Sequence, residues 1–151
     1  METITKYEPK QRTKRFQIRW NEPLGMAECP YAYRYVFLFF GFAIRVHKWV
    51  RSDDKRYMHT HPWWFITFVL KGSYTDVSMK DGVTIREKLK RFSLKYRPAN
   101  HLHYVEIPEG GGLTILFTGR PLNKWGFWVN GSIKRPLRFF HRYGHPPCSD
   151  Q

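Results

Sequence analysis

Residues 58–72, Met-His-Thr-His-Pro-Trp-Trp-Phe-Ile-Thr-Phe-Val-Leu-Lys-Gly, read as a strand followed by the turn that ends it. Aromatic and β-branched side chains dominate the run, the types that suit a pleated, half-buried surface, and Lys71-Gly72 supplies the turn. Side chains alternate across a strand, so His59, His61, Trp63, Phe65, Thr67 and Val69 are expected on the inner face. Trp64, Ile66, Phe68 and Leu70 then point outward. An outer face that apolar needs a cover: a second sheet, the N-terminal arm or a second copy of the chain, and a homodimer is expected.

The same pattern continues to either side. Residues 33–50, YRYVFLFFGFAIRVHKWV, are strand-like, and positions 43–50 alternate apolar and polar at period two. A polar turn, RSDDKR, leads into the quoted run. Beyond it, residues 73–79 end at Asp81-Gly82; 83–88, 92–96, 101–107, 113–118 and 125–129 follow as short strands. Pro98 and the run Glu109-Gly110-Gly111-Gly112 interrupt them. Strands about 8–12 residues apart, without a long amphipathic helix or a repeat, predict an all-β sandwich or barrel.

At 151 residues and 42% hydrophobic, the chain suits one folded domain and excludes wholesale disorder. Expected boundaries are a basic N-terminal arm and loop over 1–30, a β-barrel over 31–130 and a basic tail over 131–151. The longest apolar run, residues 35–44, contains Gly41 and is half the ~20 residues a membrane helix needs. The N-terminus carries no apolar segment of the secretory type. Two cysteines, Cys29 and Cys148, make neither a disulfide scaffold nor a C-x-x-C motif. They are expected to be idle thiols of a reducing, cytoplasmic compartment. A net charge of +14 favours anionic partners. Lys6, Lys10, Arg12, Lys14, Arg15 and Arg19 place much of that charge in the arm, a site for weak nucleic-acid binding as the minority expectation beside a solvated arm. No RNP, KH or helix-turn-helix signature supports that use.

The chemistry concentrates in histidines. His59 and His61 share a strand face, and a second H-x-H, His101-Leu102-His103, follows Pro98. Paired imidazoles at this spacing are two-point ligands for a divalent transition metal (Fe, Zn, Ni or Mn), and spacing does not choose among them. Tyr74 and Asp76 share a face of the next strand, where Asp76 is a fourth ligand, an orienter of a histidine or a surface carboxylate. Arg45 and His47 either line the same pocket, with Arg45 clamping an anion, or lie on a solvent face. His141 and His145 fall in the tail and are expected to be exposed.

His59-x-His61, a strand closing at Gly72, and Pro98 followed by His103 resemble the two cupin motifs in order. Carried over, His59, His61 and His103 take the motif histidines, Gly72 the closing glycine, Pro98 the proline, and Asn100 the second-motif glycine. The glutamate position falls on Phe65, which cannot ligate, and the second-motif asparagine position is Ile107. The resemblance spans residues 55–120 and extends to small cupin-like proteins of phages and bacteria. It implies a double-stranded β-helix, or jelly roll, with metal on His59, His61 and His103 and His101 as the alternative to His103. The three-histidine set without carboxylate is similar to that of the cupin thiol dioxygenases, where iron is held that way. Trp63, Phe65, Tyr74, Arg45 and His47 would line the substrate pocket. Three functions follow: a metal-dependent oxygenase, isomerase or hydrolase acting on a small anionic substrate; a non-catalytic binder of a nucleotide or other phosphorylated ligand; or a basic nucleic-acid binder. No catalytic acid, base or nucleophile can be named; Tyr74 and Tyr104 are merely available as acids.

Overall fold

Eleven strands and one short helix form within residues 15–145 and Cys148, the residues that the computed structural model describes. β1 (Phe16–Met26), β2 (Cys29–Phe39) and β3 (Phe42–Trp49) run as successive hairpins. β4 (Phe65–Lys71), β5 (Tyr74–Lys80), β6 (Val83–Leu89), β7 (Leu94–Arg97), β8 (His103–Glu106) and β9 (Gly112–Thr118) make up the middle of the chain. β10 (Phe127–Val129), β11 (Ser132–Lys134) and α1 (Pro136–Tyr143) complete it.

One antiparallel sheet has the order β1-β2-β3-β9-β4-β7. Opposite it lie β6-β5-β8 and the ribbon β10-β11. His59 joins these last two pieces, bridging to His103 of β8 on one side and Phe127 of β10 on the other. Val69 of the large sheet packs on Tyr74, Leu89 and Val105 of the smaller one, so the two layers meet face to face. The layers do not close on each other. The result is an antiparallel β sandwich, more open than the closed barrel expected, because β1 and β7 are left as margins of the large sheet.

Two hairpins show how local sequence sets this register. Asp81-Gly82 and Asn130-Gly131 have φ of 52° and 78°, and of 46° and 79°. Both central residues are left-handed, as the two-residue turn that matches strand twist requires.

Both ends of the chain depart from expectation. Residues 16–26, read as arm and loop, form β1 and pair with β2. Pro23 is tolerated because β1 is an edge strand, and bulges after Arg19 and Leu24 absorb the mismatch. Lys6, Lys10, Arg12 and Lys14 of the expected arm lie outside the described residues. The basic tail expected from residue 131 begins as a strand, β11, and packs on the sandwich: Pro136 begins α1, and Phe139, 0% exposed, stacks on Phe127 at 4.0 Å. Cys29 and Cys148 are joined in a disulfide across 119 residues, so the idle-thiol expectation is corrected. The cysteines therefore lend no support to a reducing compartment. No helix among the described residues is long and apolar enough to cross a membrane.

Candidate metal centre

Backbone pairing brings the two H-x-H segments together. The His59 N–H donates to the His103 carbonyl at 2.8 Å, and the His103 N–H returns the bond at 3.1 Å. Thr60 N–H bonds the Gly126 carbonyl and His61 N–H the Ala99 carbonyl. Regular pairing then stops, since Pro62 has no N–H, and β4 starts at Phe65 rather than within one strand from residue 58. His59 and His61 still project to the same side, their rings 5.0 Å apart.

His103 completes the set. Its ring centroid is 5.0 Å from His59 and 5.2 Å from His61, and the ligating atoms of all three lie within 4.8 Å of one another. The Nε2 atoms of His61 and His103 are 3.0 Å apart. Nitrogens bound at ~2.0–2.1 Å to one tetrahedral ion sit about 3.3 Å apart, so the donor set suits a small divalent cation. Burial lowers His59 to about 3, with His103 nearby adding to the effect. Burial likewise holds His61 well below the ordinary histidine range, and lowers His103 despite the opposing pull of Asp76. All three are neutral at pH 7, the ligating form.

Asp76 lies behind His103 and is 1% exposed, not the solvated carboxylate that was one expectation. Its Oδ2 is 3.1 Å from His103 Nδ1, its Oδ1 is 3.0 Å from His101 Nε2, and Arg97 Nε donates to Oδ2 at 3.2 Å. Burial acts to raise this carboxyl, but the hydrogen bonds from His101 and His103 outweigh it and keep it below the usual range. A carboxylate there makes His103 Nδ1 the protonated nitrogen and turns the Nε2 lone pair toward His61. Asp76, His101 and His103 also form a compact group, though its carboxylate already has three donors. Asp76→Asn is expected to weaken metal binding about 10–100-fold, the usual cost of losing such a partner, measured by chelator competition.

The rest of the expected pocket is buried between the layers. Phe65, at the glutamate position of the resemblance, packs on His61 at 4.9 Å and His103 at 5.9 Å. Trp63 stacks on His61 at 4.9 Å. Tyr74 bonds Thr67, and burial pushes its hydroxyl above the ordinary range. Arg45 and His47 face inward, so the solvent-face alternative for them falls. His141 is exposed and His145 stacks on Phe140; neither joins a metal-holding group among the described residues. Arg97 was missed because Leu94-Lys95-Tyr96-Arg97 alternates like a surface strand, yet its charged side turns inward to Asp76 and Glu87.

Four buried neutral histidines set a pH dependence for metal-free protein. His47, His59, His61 and His103 have folded pKa values below their unfolded ones, so below about pH 6.5 the unfolded chain binds more protons. Their contribution to stability is therefore full above that pH and falls as pH drops toward 3. Asp53, raised to about 8 chiefly by burial, works in the opposite sense, one group against four. Melting of chelator-treated protein between pH 4 and 7 is expected to show a midpoint that rises with pH.

No family model matches the chain, and no curated protein matches it in sequence. Solved structures do. Fe(II) HppE aligns with a TM-score of 0.54 at 11% identity, covering 68% of this chain and 56% of that one. Hydroxypropylphosphonic acid epoxidase from S. wedmorenis gives 0.51 at 12%, covering 68% and 55%. Oxalate decarboxylase from Bacillus subtilis gives 0.55 at 12%, covering 83% and 31%. The alignments thus span about half or less of each of those chains. At such identities the likeness shows a shared cupin-like fold.

Proposed function

We propose that this protein is a metal-dependent enzyme in which His59, His61 and His103 hold one divalent transition metal and the space between the layers admits a small anionic substrate. The observation that carries this reading is the convergence of three neutral imidazoles, with the His103 lone pair aimed by Asp76. With Phe65 where a carboxylate ligand would stand, the protein supplies three ligands and leaves coordination positions for water and substrate. The metal when bound supplies Lewis acidity or redox chemistry, according to which of Fe, Zn, Ni or Mn occupies it. Trp63 and Phe65 exclude water beside the imidazoles and offer an apolar wall to the substrate's body. The cupin-like neighbours support the reading at the level of fold, and the epoxidase among them, HppE, is named in one of its structures as an Fe(II) form.

Elemental analysis of protein purified after expression with iron, zinc, nickel and manganese supplied tests the proposal. About one equivalent of a single transition metal is expected from one such site; its absence from wild type sinks the reading. Native mass spectrometry on the same sample separates the alternative of a non-catalytic binder, since a nucleotide or other anion recovered unchanged after incubation would favour storage over turnover.

A further inference from the structure

We infer that Arg45 and His47, neighbours on the inner side of β3, form a subsite for the oxyanion head of a small ligand, a carboxylate or a phosphate-type group. This rests on the reading of the interior as a substrate space, although the subsite itself needs no metal. Arg45 is 2% exposed and has no carboxylate in ion-pair contact among the described residues. Its Nε reaches Thr118 Oγ1 at 3.4 Å, and its guanidinium lies 4.6 Å from the Trp63 ring. Neither contact neutralises the charge. The register deepens the imbalance. Arg19, Val36 and Arg45 form one row across β1, β2 and β3, and Glu22, Arg34 and His47 the next. Glu22 already pairs with Arg34 at 2.7 Å and Arg19 at 3.6 Å, so the carboxylate in these two rows is engaged by two other guanidinium groups and Arg45 is left without one.

Buried charge without a counter-charge is costly, and a core position filled by Met or Leu would avoid that cost. Burial, with Arg34 and Arg19 close by, lowers Arg45 to about 9, which still leaves it charged at neutral pH. His47 repeats the pattern: both ring nitrogens are buried without a hydrogen-bond partner, and its edge rests on Trp49 at 5.4 Å. A neutral imidazole there has one N–H to donate, and the guanidinium keeps its terminal N–H groups for a planar, bidentate acceptor. An oxyanion meets both needs at once. Trp63 touches both Arg45 and His61, which sets the subsite one aromatic ring away from the histidine cluster.

The experiment is thermal melting of the full-length, chelator-treated protein in acetate, inorganic phosphate or chloride at equal ionic strength. Acetate or phosphate is expected to raise the midpoint by several degrees over chloride, and the larger shift names the class of head group. Arg45→Met is expected to lose that response and, in chloride, to melt above wild type because the unpaired charge is gone. Should Arg45→Met not fold, Arg45→Gln and His47→Phe read the same loss. An anion response unchanged in these variants, or no response in wild type, overturns the subsite. Metal content is measured separately on untreated protein, so failure of the metal reading leaves a positive anion response intact.

We also infer, from an independent observation, that the outer face of the six-stranded sheet is covered by a second copy of this chain. The register aligns Ile18, Phe37, Ile44, Phe117, Ile66 and Tyr96 in one row across every strand of that sheet, without a charged side chain. Ile18 is 70% exposed, and beside this row Trp20 is 79% and Leu94 68% exposed. The exposed apolar area of this face is on the order of 800 Å², more than an ordinary monomer leaves open and about what each partner of a stable dimer buries. The central row is apolar from edge to edge, with the exposed cations Lys48, Arg120 and Arg91 only at its margins, so the face is complementary to itself under a two-fold axis. Analytical ultracentrifugation of the full chain is expected to give twice 18.3 kDa. Ile44→Glu, or Phe37→Lys as a second variant, is expected to give folded monomer by circular dichroism. A monomeric wild type, or variants that dimerise unchanged, overturns this assignment.

Discussion

His61→Ala or His103→Ala is expected to abolish stoichiometric metal binding, lowering affinity by more than about 100-fold in chelator competition. The bound rests on comparison: losing only the carboxylate behind a ligating histidine costs about 10–100-fold, so losing the ligand itself must cost more. The two Nε2 atoms stand 3.0 Å apart, and removing either leaves at most two imidazoles converging. Stability supplies a second readout. A metal at 1,000 times its Kd stabilises the folded state by about 4 kcal/mol, so wild type should lose about that much on chelation. The variants should lose almost nothing. His101→Ala is the informative control, because His101 reaches Asp76 rather than the His61 side, and His103 keeps its own bond to Asp76. If His101→Ala strips the metal as completely as His103→Ala, the ligand set is Asp76, His101 and His103, the other compact group.

Gly126→Ala is expected to destabilise the protein by about 3 kcal/mol in urea unfolding, at the upper end of overpacking costs. A Cβ there would lie 2.2 Å from the Lys134 carbonyl oxygen and 2.8 Å from Ile133 Cγ2, and the first of these is backbone that cannot swing away. The β10–β11 ribbon would have to open. The disturbance reaches the metal centre by a short route, since Gly126 accepts from Thr60 N–H at 2.9 Å and donates to Thr60 Oγ1 at 3.3 Å. Thr60 separates His59 from His61, so weaker metal binding should accompany the lost stability. Gly131→Ala isolates the backbone component. Its φ is +79° with nothing within 4 Å of an added Cβ, so only the left-handed penalty of about 1–2 kcal/mol applies. A Gly126→Ala protein no less stable than Gly131→Ala would mean that the ribbon yields freely.

The strands themselves were legible because turn chemistry is local. Asp81-Gly82 and the Glu109-Gly110-Gly111-Gly112 break between β8 and β9 announce themselves by composition, and the segment at 113–118 emerges as β9 almost unchanged. The ends were not legible. Residues 16–26 carry Pro23, Gly25 and scattered charge, so nothing local marks them as a strand; β1 exists because β2 offers it an edge. The disulfide likewise links residues whose proximity depends on the whole path of the chain between them. Asp76 had three readings from sequence, and the choice fell to Arg97 and His101, donors that arrive from β7 and the loop before β8.

By itself the sequence determined an all-β chain, the faces that alternate side chains share, and a pairing of His59 with His61 that backbone geometry makes local. Which face points inward was settled only by the tertiary structure, against the ordinary expectation at several strands. In β7, Arg97 is buried while Leu94 is exposed; in β3, Arg45 and His47 are buried while Ile44 is exposed. Period-two alternation assigns residues to two sides without labelling either as the interior. The label depends on partners far along the chain: Asp76 and Glu87 draw Arg97 inward, while Arg45 is carried inward by its place between β2 and β9 with no acidic partner in ion-pair contact among the described residues.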